Sequence, residues 1–477
     1  MPMSQLSYRD AFPWMFLAVA VAGCGDEQGP GSTPDARATE PADAAAETRD
    51  AEPLPVDASN EIVTLTVNRS GDGGGTVFSE PWQIRRVNET TYEALMSSGG
   101  QTTLTPIVSP DSVFVGWEGG GCEGTDPCTV EVVEDTIISA RFDLGHNLVF
   151  VTSAPSSGEL GGLEGADAHC QQLADDAGLD GTYRAWLSSS AVDARDRLIG
   201  SRGWMRVDRK LVADTVADLV EGRILHPIRI DELGNDIGLS DVYTGTGTDG
   251  AVQSFTCEDW TAAAGFGGVG NSAFGGVSFG MGPDGSGTSC SLERPLYCFG
   301  IDHDLAVLPP TPSDDRFAFI TTASWTPAGG IGSADALCQS EAALSALPGT
   351  YKALLATTEA SPASRFDTAA APWRRVDGVR ITETAEAMFQ AGRFDSFLNL
   401  TADGQTYYSS STFVWSGTGS LAEAGAANQT CNDWQPSAGD RGLGGLVASS
   451  ELRLFLGSDE VSQDCGANVI KLACLQE

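Results

Sequence analysis

The chain reads as α+β: a disordered N-terminal tether, a small all-β domain, and two tandem copies of one mixed helix-and-strand module. Three observations predict this. The stretch Gly165-Ala-Asp-Ala-His-Cys170, running on to Gly181-Thr-Tyr-Arg-Ala-Trp-Leu187, is written again as Ser333-Ala-Asp-Ala-Leu-Cys338 and Gly349-Thr-Tyr-Lys-Ala-Leu-Leu355. Each copy follows an apolar run, Leu148-Val-Phe-Val-Thr152 or Phe317-Ala-Phe-Ile-Thr321, and precedes Cys-x-Asp-Trp and two more cysteines. The eleven cysteines divide as Cys24 alone, Cys122 with Cys128, and four in each copy. One odd and ten even is the usage of an oxidised exterior protein with one specially used thiol.

Length and charge bound the functions. A chain of 477 residues exceeds one ordinary domain. The net charge of -38 argues against nucleic acid, heparin-like polyanions or an anionic membrane face as partners, because like charges repel over a Debye length. A cation or a neutral polymer fits that field. No Cys-x-x-Cys occurs and only four histidines are present, which argues against a cysteine/histidine zinc site.

Residues 11–23 form an apolar run after Arg9, long enough for a signal-peptide core but short of the roughly 20 residues of a spanning helix. It ends in Val21-Ala-Gly-Cys24, which resembles the lipobox of bacterial lipoproteins. The resemblance implies that residues 1–23 are removed, that Cys24 is lipidated, and, with Gly25 rather than Asp next, that the protein sorts to the outer membrane at the cell surface. Contact with the membrane is then through the N-terminal lipid only, several acyl chains making a lasting anchor. Residues 24–60 are Ala, Pro, Asp and Glu with almost no large apolar residue. Such a segment cannot offset its ordering entropy and reads as a self-repelling tether.

Residues 61–145 read as the small β domain. Ile62-Val-Thr-Leu-Thr-Val67 alternates in strand fashion, Ser70-Gly-Asp-Gly-Gly-Gly75 turns, and Thr76-Val-Phe78 begins a second strand. Later come Val113-Phe-Val-Gly-Trp117, Gly119-Gly-Gly-Cys122, Cys128-Thr-Val-Glu-Val132 and Ile137-Ile-Ser-Ala-Arg-Phe142. This phrase is similar to the divergent repeat of bacterial surface proteins related to the internalin B-repeat, which implies a spacer. The longer, more polar segment 82–103 departs from that pattern and is expected to be a hairpin extension. A Cys122–Cys128 bridge staples only a short loop.

In the first module (146–302), Ala166, Cys170, Leu173, Ala174 and Ala177 share one helix face, and Gly178 stands where a left-handed residue ends the helix. In the second (316–477), Ser333 is expected as N-cap, Asp335 near the positive helix end, and Pro348 as a stop. A linker, 303–315, contains Pro309-Pro-Thr-Pro312. Further parallels are Trp204-Met-Arg-Val-Asp208 with Trp373-Arg-Arg-Val-Asp377, Asp241-Val-Tyr-Thr-Gly-Thr-Gly247 with Phe413-Val-Trp-Ser-Gly-Thr-Gly419, and Cys257-Glu-Asp-Trp260 with Cys431-Asn-Asp-Trp434. The modules close on Leu296-Tyr-Cys298 and Leu472-Ala-Cys474.

Counting cysteines leaves three pairings per module open. The motif set resembles the endostatin domain of collagens, and more closely a bacterial lipoprotein domain of unknown function that shares its fold, a variant of the C-type lectin fold. That resemblance implies nested disulfides: Cys170 with Cys298 and Cys257 with Cys290, then Cys338 with Cys474 and Cys431 with Cys465. Endostatin's heparin binding rests on surface arginines and its zinc on N-terminal histidines; this chain has neither the positive field nor the histidines, so neither activity is expected of it. The lectin resemblance implies instead a calcium or sugar site at Glu258, Asp259 and Trp260, with Asn432, Asp433 and Trp434 in the second copy. Against it stands the reading that both tryptophans are core beside a disulfide and the acids cap a turn. No second ligand-rich run accompanies them, and calcium takes six to eight oxygens, so no cofactor is expected and calcium stays without a full ligand set. Asp231-Glu232 with Asn235-Asp236 is expected to be an exposed turn.

Two motif matches carry little. Gly245-Thr-Gly-Thr-Asp-Gly250 spells a dinucleotide pattern, but Val252-Gln-Ser-Phe-Thr-Cys257 follows in place of a helix. Gly276-Val-Ser-Phe-Gly280 spells a hydrolase elbow without strand-turn-helix context, and His303 is the sole later histidine. The expected function is therefore extracellular binding or adhesion toward a glycan or matrix protein, not catalysis. A structural envelope protein is the alternative, and a surface hydrolase acting through Ser278 ranks behind both.

Overall fold

The computed structural model describes residues 61–281, 287–308, 310, 313–407, 411–457 and 462–477. Cys24 and the segments expected to be signal peptide and tether lie outside the described residues, as does most of the Pro309–Pro312 run. Helices and many strands make the fold α+β. Among the described residues no helix is long and apolar enough to cross a membrane.

The first eight strands are β1 (Ile62–Ser70), β2 (Gly75–Glu80), β3 (Arg85–Arg86), β4 (Thr91–Ser97), β5 (Gly100–Val108), β6 (Ser112–Glu118), β7 (Cys128–Val132) and β8 (Thr136–Leu144). They form two sheets, ordered β3-β4-β1-β8-β6 and β2-β5-β7. Alternation along β1 turns Val63, Leu65 and Val67 inward onto Leu104, Val130 and Phe142. The segment 82–103 is a hairpin only where β3 pairs with β4, Arg85 opposite Glu93 and Arg86 opposite Tyr92. It supplies β4, which pairs with β1, and the start of β5, which pairs with β7. Its polar look comes from outward-facing residues such as Glu93 and Gln101, which alternate with buried Tyr92, Ala94 and Met96.

β8 passes through Gly145-His146 into the first module. Its strands are β9 (Asn147–Val151), β10 (Tyr183–Ala185), β11 (Trp204–Arg206), β12 (Leu211–Ala213), β13 (Asp241–Tyr243), β14 (Phe266–Asn271), β15 (Gly287–Ser289) and β16 (Tyr297–Gly300). The main sheet runs β10-β16-β9-β11-β12, so the first and last strands of the module lie side by side. The apolar run of β9 is buried on both faces: Phe150 turns toward the long helix Gly162–Ala177, while Val149 and Val151 enter a second core with Trp204 and Phe299. The second module repeats this with β17 (Arg316–Ile320), β18 (Tyr351–Ala353), β19 (Trp373–Arg374), β20 (Phe413–Trp415), β21 (Arg441–Gly442), β22 (Gly444–Leu446), β23 (Gln463–Asp464) and β24 (Ala473–Gln476). Its sheet order is β18-β24-β17-β19.

Five disulfides are present: Cys122–Cys128, Cys170–Cys298, Cys257–Cys290, Cys338–Cys474 and Cys431–Cys465. The two long-range bridges span 128 and 136 residues and tie each module's helix to its last strand. In the chain-entropy account each is worth about 4–5 kcal/mol.

The repeated motif has a structural purpose. β10 is an edge strand, and the helix covers its open side with Asp167 and Gln171, residues one turn apart. Asp167 accepts from Ala185 N–H at 2.9 Å and Gln171 from Tyr183 N–H at 2.9 Å. The second module uses Asp335 and Gln339 on Ala353 and Tyr351 N–H, again at 2.9 Å each. The first helix ends at Gly178 with φ 70°, where the sequence places its stop. The second differs from expectation at its start. Gly330 is the N-cap, and Ser333 lies inside the first turn with its hydroxyl donating to Gly330 C=O at 2.8 Å. Asp335 is held by Arg365 at 2.7 Å, and the helix stops at Leu344, ahead of Pro348.

The two modules are docked against each other. Phe274 and Ser449 form a β-bridge, with Gly275 N–H donating to Ala448 C=O at 2.8 Å and Ser450 N–H to Ala273 C=O at 2.9 Å. Arg229, 4% exposed at its side chain, joins Asp236 at 2.7 Å to Glu451 of the other module at 2.8 Å. Phe397 is buried in the first module's core. The described part of the linker is also packed, with Leu305 C=O bonded to His146 Nδ1 at 3.0 Å and Val307 N–H donating to Asp214 at 2.8 Å.

Candidate functional site

The segments Cys257–Trp260 and Cys431–Trp434 are single left-handed turns. Their four residues have φ of 49, 54, 55 and 64° in the first module and 49, 53, 52 and 63° in the second. Left-handed backbone costs an L-residue about 1–2 kcal/mol, so four in a row persist only where the surroundings impose them. Three restraints do so. The cysteine is bridged, a threonine caps the turn (Thr256 to Asp259 N–H at 3.3 Å, Thr430 to Asp433 N–H at 3.2 Å), and the tryptophan is buried.

Burial decides what the motif residues do. Trp260 and Trp434 are 0% exposed, so neither indole can stack a ligand. Their Nε1–H groups donate to Ser188 C=O at 2.7 Å and Ala356 C=O at 2.8 Å. Asp259 clamps the loop beyond β10, accepting from Ser190 N–H at 2.7 Å and from its hydroxyl at 2.6 Å. Asp433 treats Thr358 identically, at 2.7 Å for both bonds. The Ser190 hydroxyl and N–H hold the Asp259 carboxyl below the usual carboxylate range. Glu258 and Asn432 remain exposed.

Beside each turn opens a cleft. In the first module it encloses about 580 Å³ between Ser190 and the segment Val252–Thr256. In the second it encloses about 540 Å³ and is lined by Asn428, Asn432, Ser437, Asp440 and Arg441. The two correspond: Ser254 and Asn428 each stand three residues before the turn's cysteine. Their linings have diverged. Phe255 in the first cleft packs edge-on against Phe266 at 6.2 Å, and Phe266 is 57% exposed. The equivalent bridges Thr256–Gly267 and Thr430–Gly442 place Gln429 and Arg441 at those two positions in the second module.

Of the residues singled out in the sequence, Asn432 lines its module's cleft and both tryptophans are buried, while further open groups come from the hydroxyls, amides and aromatics of the segments leading into the turns. The signal was present as Gln253-Ser-Phe-Thr256 and Asn428-Gln-Thr430, polar runs just ahead of a buried motif.

Other sequence features resolve as architecture. Gly245, first of the dinucleotide-like glycines, has φ 58°, and a Cβ there would lie 2.7 Å from Trp260 Cζ2. Gly417 stands in the same relation to Trp434, also at 2.7 Å. Those glycines make room for an indole, and the chain that follows returns as a hairpin with Thr246 bridged to Val252. Ser278 is 2% exposed in a short 3-10 turn. The turn expected at Asp231-Glu232 is exposed at its tip, Leu233–Asn235, but Asp231 and Glu232 themselves are buried, 4% and 3% exposed. Asp231 accepts from Leu233 N–H at 2.9 Å and Asn235 N–H at 2.7 Å, and Glu232 accepts from Ser153 N–H at 3.0 Å. Turn closure and loop anchoring draw these acids inward. Among the described residues no group of three His, Cys, Asp or Glu is placed to hold a metal ion. No protein-family model matches the chain, and no curated protein matches it at significant similarity.

Proposed function

We propose that this chain is a bacterial outer-membrane lipoprotein, anchored through Cys24, whose two endostatin-like, C-type lectin-like modules bind an extracellular polysaccharide. The observation that carries the binding reading is the recurrence of an open polar cleft at the same strained left-handed turn in both modules. Strain held in place twice is the kind of feature that accompanies a site.

Hydroxyl and amide groups suit sugar hydroxyls, and the Phe255–Phe266 pair offers an apolar shelf for the C–H face of a sugar ring. Two clefts on one tethered chain gain avidity toward a repeating polymer. The nested disulfides and the helix laid over the edge strand support the endostatin-like assignment. Catalysis is not part of the proposal, and Ser278 is given no role in it.

A glycan array probed with the full chain, in calcium and in chelator, tests the reading. Selective binding in either condition supports it, and silence in both overturns it. Intact-mass analysis of membrane-extracted protein separately reports whether Cys24 carries lipid.

A further inference from the structure

Docking of the modules leaves a half-open cavity of about 260 Å³ walled by both of them and by the linker. We propose that it is a second binding site, distinct from the turn clefts, and that it takes a compact, uncharged aliphatic molecule bearing one hydrogen-bond acceptor.

The lining states the chemistry. Its apolar part is Ile224 and Leu225 from the first module, Val307 from the linker, and Val379 and Leu400 from the second. Among the described residues no aromatic ring lines it, so the complement is aliphatic. The volume lies just below the roughly 300–1,000 Å³ of drug-sized sites, which suits a single ring.

Charge excludes ions. Each carboxylate of the lining already has a guanidinium: Asp214 is paired with Arg202, Asp218 with Arg223, and Asp377 with Arg375. A charged ligand would lose hydration and find no unbalanced partner.

One polar requirement remains. Asn399 lines the cavity at 1% exposure, its Oδ1 accepts from Arg375 Nη1 at 3.4 Å, and its Nδ2 has no hydrogen-bond partner. An unmade buried donor costs about 1–3 kcal/mol, so an acceptor brought by the ligand is favoured. Because both modules contribute walls, occupancy also stabilises their docking by mass action.

The test uses the full, oxidised chain with methyl-labelled Ile, Leu and Val and four probes of similar shape: cyclohexanone, methylcyclohexane, cyclohexylamine and cyclohexanecarboxylate. Cyclohexanone is expected to move the methyl signals of Ile224, Leu225, Val307, Val379 and Leu400 saturably, while the two ions leave them in place. Leu400→Trp, which fills the space, should abolish the response. Asn399→Leu should weaken cyclohexanone about tenfold, the loss of one hydrogen bond, and leave methylcyclohexane unaffected. Unmoved methyl signals in the wild-type chain, equal binding of the ions, or an undiminished response in a folded Leu400→Trp chain would overturn the proposal.

Discussion

Phe397 of the second module lies fully buried against Gly275 of the first, inside a core built by the first module's own Trp186, Phe279 and Tyr297. A Cβ on residue 275 would stand 2.8 Å from the Phe397 ring, so the contact needs glycine on one side and an aromatic on the other. Removing the ring should cost about 3–5 kcal/mol. The expectation is that the wild-type modules melt together in calorimetry and that Phe397→Ala splits the transition in two. An unsplit transition at unchanged temperature would show the docking to be incidental.

The same interface carries an acid-sensitive group. His226 is pushed down to about 3, first by desolvation and then by Arg206, with Lys210 and Arg375 adding to the effect, while its Nδ1 stays bonded to Leu211 C=O at 2.7 Å. An unfolded histidine titrates near 6.5. The unfolded chain therefore takes up a proton below about pH 6.5 that the folded chain refuses until about pH 3. Stability is full above that window and falls with pH inside it. Denaturant titrations at pH 7, 6 and 5 should show the decline, and His226→Asn should flatten it. Parallel slopes in the two proteins would remove His226 from the account.

Much of this was legible in the sequence because duplication acts as an internal control. The Gly178 helix stop, the strands entered at Gly181 and Gly349, and the α+β class follow from local patterns that geometry alone enforces. Ser333 misled because a serine inside a first turn and a serine at its cap look alike when a glycine precedes both. Asp231 and Glu232 misled because an acid that accepts backbone N–H groups is indistinguishable in sequence from a solvated one. The docking of the modules was invisible. Phe397 sits in a stretch whose other apolar residues serve its own module, and no local pattern says which core an aromatic will enter.

The glycines next to the buried indoles make a separable case. Gly245→Ala puts a methyl group at a position with φ 58° and against the Trp260 ring, and Gly417→Ala repeats the insult at Trp434. Each should destabilise by about 1–3 kcal/mol through overpacking and left-handed strain. Denaturant midpoints with the indole fluorescence as probe measure it. A neutral result at both positions would mean that the tryptophans have room to move.

The first turn cleft can be separated from the fold that holds it, because Phe266, proposed to touch a ligand, is not among the residues that stabilise the turn. Phe266 is 57% exposed, so Phe266→Ala should leave stability within about 0.5 kcal/mol. The same change takes away the shelf on which a sugar ring would rest, and binding by the first module should fall roughly two- to tenfold if one aromatic contact is worth roughly 0.5–1.5 kcal/mol. Trp260→Phe should do the opposite: it breaks the 2.7 Å bond to Ser188 C=O inside the core and costs stability first. Arg441→Ala provides the contrast in the second module, where a guanidinium occupies the place of Phe266. If the clefts have diverged in chemistry, Phe266→Ala selectively weakens neutral glycans and Arg441→Ala selectively weakens anionic ones. Identical losses across both glycan classes would mean that the two clefts do the same work, and no loss from either variant would move the binding site away from the turns.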